Sequence, residues 1–199
     1  MTEIDPWEAC WAPYDEATYQ QALSFVRPDD IVLDIGAGDL RFTRRVASIA
    51  RRVYAIERQA ELLSPQASLP ANLIVIWADA RHIEWPAGIS LGLLLMRHCT
   101  HVDLYIKRLR RLGCGRLITN ARWGLDVELI DLGRQAAWST VKLGWYACLC
   151  GQTGFVSGPP SHLTDDHVWH VTQVEDCPAC NRQIYGDLWL KEQNVSKSS

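Results

Sequence analysis

The chain has 199 residues, 48% apolar and 22% charged, with a net charge of -3. That is enough to bury one good core with a small appendage, and it gives no global attraction to nucleic acid. The opening Met-Thr-Glu-Ile-Asp has no basic region or apolar core. The longest apolar run, Ile89 to Met96, is far short of the ~20 residues that cross a bilayer, so a cytoplasmic protein away from membranes is expected.

Residues 1–14 hold Pro6, Trp7, Trp11, Pro13 and Tyr14 and read as an irregular N-terminal cover. A helix is predicted from Asp15, a fitting N-cap, to Val26, with Tyr19, Ala22, Leu23 and Val26 as its apolar stripe and Pro28 beyond its end. Ile31-Val-Leu-Asp-Ile35 reads as a buried strand broken by Gly36-Ala-Gly38. Leu40, Val46 and Ile49 then keep helical spacing. Arg52–Glu57 is a second strand, and two helical turns follow to Leu63. Asn72–Trp77 is a third strand. Residues 80–88 are too few for a normal crossover helix. Ile89–Met96 is a fourth strand and Thr100–Leu112 a helix, with Thr100 and Asp103 spaced as a variant capping box. Arg116–Asn120 is a fifth strand. From Trp123 the texture changes. The second half of 125–142 reads as helical. The runs 144–158 and 168–175 read as extended, and the tail as disordered. The alternation predicts an α/β, doubly wound, mostly parallel sheet with an antiparallel C-terminal hairpin. The divisions expected are 1–30, a cover and helix; 31–122, the core; 123–190, a C-terminal element; and 191–199, the tail.

A strand, glycine turn and helix cradle a nucleotide-like ligand, because glycines admit the backbone and the helix start offers free N–H groups. Three acids mark the strand ends: Asp34, Glu57 and Asp79. Glu57 stands where an acid binds both hydroxyls of a ribose, and Asp79 is placed to accept from an exocyclic amine or to cap a backbone turn. A dinucleotide fingerprint would need glycine at Arg41, and Asp39 would repel a pyrophosphate. No P-loop is present. The expected ligand has a ribose, a base and little phosphate.

Val32-Leu-Asp-Ile-Gly-Ala-Gly-Asp39 closely resembles the first motif of class I S-adenosylmethionine-dependent methyltransferases. Tyr54-Ala-Ile-Glu57 resembles their second motif and Trp77-Ala-Asp79-Ala their third, over residues 15–120 in order. The resemblance implies a methyltransferase whose cofactor passes Gly36 and Gly38 with its methionine end, places its ribose on Glu57 and faces Asp79 with its adenine. The chain departs from many members in having Leu40 where they have glycine.

The same resemblance puts the methyl acceptor beyond the fourth strand, at Met96-Arg97-His98-Cys99-Thr100-His101. His98 and His101 are candidate general bases, and Arg97 a group for an acidic acceptor. Asn120, Arg122 and Trp123 are candidates for the far wall. Cys99 is a nucleophile by position only, and reads better as a buried thiol. The Asn/Asp-Pro-Pro-Tyr/Phe motif of base-amine methyltransferases is absent. The acceptor is RNA or a small metabolite: basic runs (Arg41 to Arg52, Lys107 to Arg116) favour the first, the mild net charge the second. The rival reading is a non-catalytic cofactor- or nucleoside-binding module.

Seven cysteines, an odd number, argue against a disulfide framework. Cys148-Leu-Cys150 and Cys177-Pro-Ala-Cys180 are two knuckles at strand ends, suited to a closed, structural Zn²⁺ site. Buried free thiols are the alternative. His162, His167 and His170 are candidates to replace one thiolate. The zinc would clamp an appendage; in the rival reading it recruits a partner.

Overall fold

A computed structural model describes residues 12–63, 68–122, 126–133 and 135–180. Trp123, the first eleven residues and the predicted tail lie outside them. The chain divides into two compact units, Met1–Arg134 and Gln135–Ser199.

In the first unit the helices are α1 (Glu16–Leu23), α2 (Arg41–Ala47) and α3 (Val102–Arg111). The strands are β1 (Ile31–Ile35), β2 (Arg52–Glu57), β3 (Leu73–Trp77), β4 (Leu91–Leu94), β5 (Arg116–Thr119) and β6 (Glu128–Asp131). They form one sheet in the order β3-β2-β1-β4-β5-β6, the first five in sequence parallel and β6 antiparallel to β5. The chain runs from β1 outward to β3, then returns to place β4 on the other side of β1. That reversal opens a crevice at the carboxyl ends of β1 and β4.

Alternation along the strands assigns the two faces. Val32, Ala55, Leu93 and Ile118 share a core with Tyr19 and Ala22 of α1 and Phe42 and Val46 of α2. Tyr19 stacks on Phe42 with centroids 4.8 Å apart. The opposite face carries Gly92, where a Cβ would come within 2.6 Å of Leu109 of α3. Helices on both faces make the sheet doubly wound, as predicted. Asp15 caps α1, accepting from Thr18 N at 2.8 Å.

The sequence reading fails in three places. The two turns expected after β2 are a single 3₁₀ turn, Ala60–Leu62. The Thr100–Asp103 capping box does not form. The helix starts at Val102, its N-cap His101 makes no side-chain cap bond, and Asp103 pairs with Lys107 at 3.1 Å. The helix expected in the second half of 125–142 is only a single 3₁₀ turn, Trp138–Thr140. The first half of that run holds an edge strand, Glu128–Asp131, with Thr119 opposite Glu128 and Leu117 opposite Ile130. Ile130 is completely buried in this pairing. β6 thus belongs to the first unit, and the division falls after residue 134 rather than at 122.

No helix spans β3 to β4. The segment is pinned by Arg108 of α3, which donates to Ala80 O and Ile83 O and lies 4.2 Å over the Trp85 ring. No helix among the described residues is long and apolar enough to cross a membrane.

The second unit holds β7 (Gly144–Cys148), β8 (Thr153–Val156), α4 (Asp165–Trp169) and β9 (Val171–Val174). The hairpin is β7 with β8, antiparallel, both inside the first of the two runs expected to form it. The second run, β9, joins β7 in parallel on its other side. A connection carrying α4 makes that possible, since parallel neighbours need a crossover. The three strands form their own sheet, in the order β8-β7-β9.

Candidate functional site

The cleft of the first unit lies at the crevice predicted from topology and encloses about 1100 Å³, open solvent at its mouth included. Its floor is the turn after β1. Gly36, Gly38 and Leu40 all have positive φ, at 76°, 59° and 66°. Gly36 N and Ala37 N both donate to Ile56 O, at 2.9 and 3.1 Å, and Gly38 N donates to Glu57 Oε2 at 2.8 Å. A Cβ on Gly36 would lie 2.6 Å from Met96 Cε, the movable tip of a flexible side chain, so it is the backbone conformation that favours glycine there. Leu40 takes the left-handed conformation that glycine favours, with its side chain buried in the core.

The three strand-end acids are differently engaged. Glu57 is buried and accepts from two backbone N–H groups, Gly38 on Oε2 and Gln59 on Oε1 at 2.7 Å. Each oxygen keeps acceptor capacity, which suits a pair of vicinal hydroxyls. Asp34 is buried against Thr43, whose hydroxyl donates to it at 2.6 Å. Burial pushes its pKa up to about 7; the Thr43 bond opposes this, and the Glu57 charge adds to it. Asp79 is gripped by Arg81 through Nε and Nη2 at 2.6–3.1 Å, which holds its pKa down at about 2. The exocyclic-amine role expected of Asp79 therefore competes with a guanidinium already on both its oxygens. At the mouth, Asp39 pairs with Arg41 at 2.7 Å.

On the acceptor side, Met96, Arg97 and His98 line the cleft. His98 is exposed there. His101 is not among the lining residues; its ring packs beside Tyr105 with centroids 6.4 Å apart, and its Nδ1 lies 3.1 Å from Thr100 Oγ1. Cys99 is buried, and its sulfur accepts from His101 N at 3.4 Å. The far wall expected from Asn120 and Arg122 is not built by them, since neither lines the cleft. Arg122 is buried and forked onto Glu128, because β6 brings that acid back to the end of β5. Asn120 is fully buried, and neither amide atom has a hydrogen-bond partner among the described residues.

Sequence reasoning missed Tyr14 and Thr43 as site residues. Tyr14 OH accepts from Arg97 N at 3.0 Å, and its ring lies 5.1 Å under the Arg97 guanidinium. The only signal was an aromatic residue in an otherwise irregular cover. The basic runs are largely spent internally: Arg45 binds Glu16, Arg44 binds Ser68 O, and Arg116 binds Asp30.

In the second unit Cys148, Cys150, Cys177 and Cys180 place their sulfurs within 4.8 Å of one another. Sulfur separations of 3.6 Å (148 to 180), 3.6 Å (150 to 177) and 3.8 Å (177 to 180) exceed a disulfide's ~2.05 Å. They match the ~3.8 Å edge of a tetrahedron with Zn–S near 2.3 Å. The mutual hydrogen bond of Cys148 and Cys150 raises the first thiol and lowers the second, and burial raises Cys180. The candidate histidines are used elsewhere. His167 Nδ1 binds Thr164 at the start of α4, and His170 pairs with Asp166 at 2.5 Å. His162 is exposed and lies outside the cluster.

No protein-family model and no curated protein matches this chain. Solved structures are similar in fold. The dimethyladenosine transferase of Plasmodium falciparum aligns at 17% identity and TM-score 0.45, over 53% of this chain and 41% of that one. The precorrin 8w decarboxylase of Methanobacterium thermoautotrophicum aligns at 22% and 0.42, over 56% and 65%. An rRNA methylase from Streptococcus thermophilus aligns at 21% and 0.41, over 52% and 68%. This chain spans about two-fifths of the first and about two-thirds of the other two.

Proposed function

We propose that the first unit is an S-adenosylmethionine-dependent methyltransferase acting on RNA or a small metabolite. The observation that carries this is Glu57, buried at the end of β2, tied to the glycine turn through Gly38 N and still able to accept from two hydroxyls. Gly36 and Gly38 leave the backbone open beside the amino-acid end of the cofactor. When bound, the cofactor supplies an electrophilic sulfonium methyl. The residues of this chain supply the rest. Glu57 orients the ribose. Met96 borders the turn. His98 takes a proton from an acceptor placed in line, and Tyr14 and Arg97 close that side. His101, turned toward Tyr105, has no part in this scheme.

The second unit is held by one structural Zn²⁺ on Cys148, Cys150, Cys177 and Cys180. Its buried apolar residues among those described are few, Ala147, Cys148, Leu149, Val174 and Cys177, and so small a core needs a staple.

The test is calorimetry with S-adenosylmethionine and S-adenosylhomocysteine on wild type and Glu57→Ala. Micromolar binding lost at least tenfold in the variant is expected; no binding of either ligand overturns the reading. One observation favours a non-catalytic module instead, namely Arg81 occupying both oxygens of Asp79. Binding without methyl incorporation into RNA or metabolite extracts would support it.

A further inference from the structure

Arg97 differs from Arg41 and Arg81 in the same cleft. Those two spend their charge on Asp39 and Asp79. Arg97 has no carboxylate partner among the described residues, and its Nε is buried without a hydrogen-bond partner. Leaving a charged donor desolvated and unpaired is unfavourable. The structure nonetheless fixes this side chain. Its backbone N donates to Tyr14 OH, and Tyr14 covers the face of the guanidinium. With one face taken by Tyr14, the buried Nε–H on the edge is the donor left unsatisfied. Nε–H and the neighbouring Nη–H on that edge are parallel donors, the fork that receives a carboxylate or phosphate side-on.

We propose that Arg97 anchors an anionic group, carboxylate or phosphate, on the methyl acceptor. The placement agrees: Arg97 stands between Met96, which packs over Gly36, and His98, the base assigned above. The proposal rests on the methyltransferase reading for the word acceptor, but not for the anion site itself. The amino-acid end of the cofactor carries the same chemistry, and the test separates the two sources.

The Arg97 Nε–H resonance of ¹⁵N-labelled protein is followed while inorganic phosphate is added. This is done in protein alone, in protein saturated with S-adenosylhomocysteine, and in protein saturated with 5′-methylthioadenosine, which lacks the amino-acid end. A saturable shift in all three states is expected, lost at least tenfold in affinity in Arg97→Lys with S-adenosylhomocysteine binding unchanged. A response abolished by S-adenosylhomocysteine but kept with 5′-methylthioadenosine assigns the anion to the cofactor and overturns the proposal. No response in any state overturns the anion site. If neither nucleoside binds, the methyltransferase reading fails by itself, and the phosphate titration of the protein alone still decides the anion site.

Discussion

Thr43 Oγ1 donates to Asp34 Oδ2 at 2.6 Å, fastening α2 to β1 directly behind the glycine turn. The Asp34 carboxyl is fully buried, and its pKa is pushed up to about 7. The folded chain therefore keeps a proton that the unfolded chain releases near pH 4. Stability from this group is complete below pH ~4 and is lost as pH rises to about 7. At about 1.4 kcal/mol per unit, the loss is of the order of a few kcal/mol. Asn at 34 can still accept from Thr43 and does not titrate. Asp34→Asn should gain on wild type by about 2–4 kcal/mol between pH 4.5 and pH 8, read from hydrogen exchange of the β1 amides. A difference that stays flat with pH would mean Asp34 ionises normally.

Leu40 sets strain against packing. Its φ of 66° costs about 1–2 kcal/mol for a non-glycine residue. Its side chain is 5% exposed and shares the core of Tyr19 and Phe42. Removing a buried leucine costs about 2–5 kcal/mol, and glycine adds entropy to the unfolded chain. Packing wins. Leu40→Gly should lose about 2 kcal/mol in denaturant unfolding, while S-adenosylhomocysteine affinity holds because the turn keeps its backbone path. A more stable variant would show that strain dominates.

The sheet was legible because each parallel strand is a short apolar run closed by a turn, and Gly36 and Gly38 announce the switch point. What was not legible depends on distant partners. Glu128–Asp131 alternates too briefly to declare itself a strand, and it becomes one only because β5 offers an open edge. Arg122 looked available from its place after β5, but that pairing returns Glu128 to it. Thr100 and Asp103 have capping spacing, yet the helix begins one residue too late for Thr100 to serve. The cysteine quartet was legible because two closely spaced thiol pairs are written in the sequence, whereas the parallel placement of β9 is not. The grip of Arg81 on Asp79 had a sequence signal, an arginine two residues after the acid, that motif matching passes over.

The sulfur tetrahedron predicts one zinc per chain, measurable by elemental analysis. Stripping it with a strong chelator should raise hydrogen exchange across β7–β9 and leave β1–β5 protected. Cys148→Ser or Cys177→Ser should do the same, since three ligands hold zinc far less tightly. Cofactor affinity should survive both changes. A folded variant that loses S-adenosylhomocysteine binding would show that the metal serves more than the second unit's own structure.

Arg108 replaces the missing crossover helix between β3 and β4. One guanidinium satisfies Ala80 O and Ile83 O and covers Trp85, whose own Nε1 donates to Ala80 O at 3.0 Å. Hydrogen bonds from a charged donor contribute about 1.5–3 kcal/mol each, and the ring contact about 1 kcal/mol. A lysine can reach one carbonyl but cannot fork across two. Arg108→Lys should therefore cost about 2 kcal/mol and speed amide exchange in residues 80–88. Arg110→Lys, two positions along on the exposed side of α3, should stay within about 0.5 kcal/mol. If residues 80–88 exchange no faster in Arg108→Lys than in Arg110→Lys, the segment is held by Trp85 packing alone, and the guanidinium is a passenger.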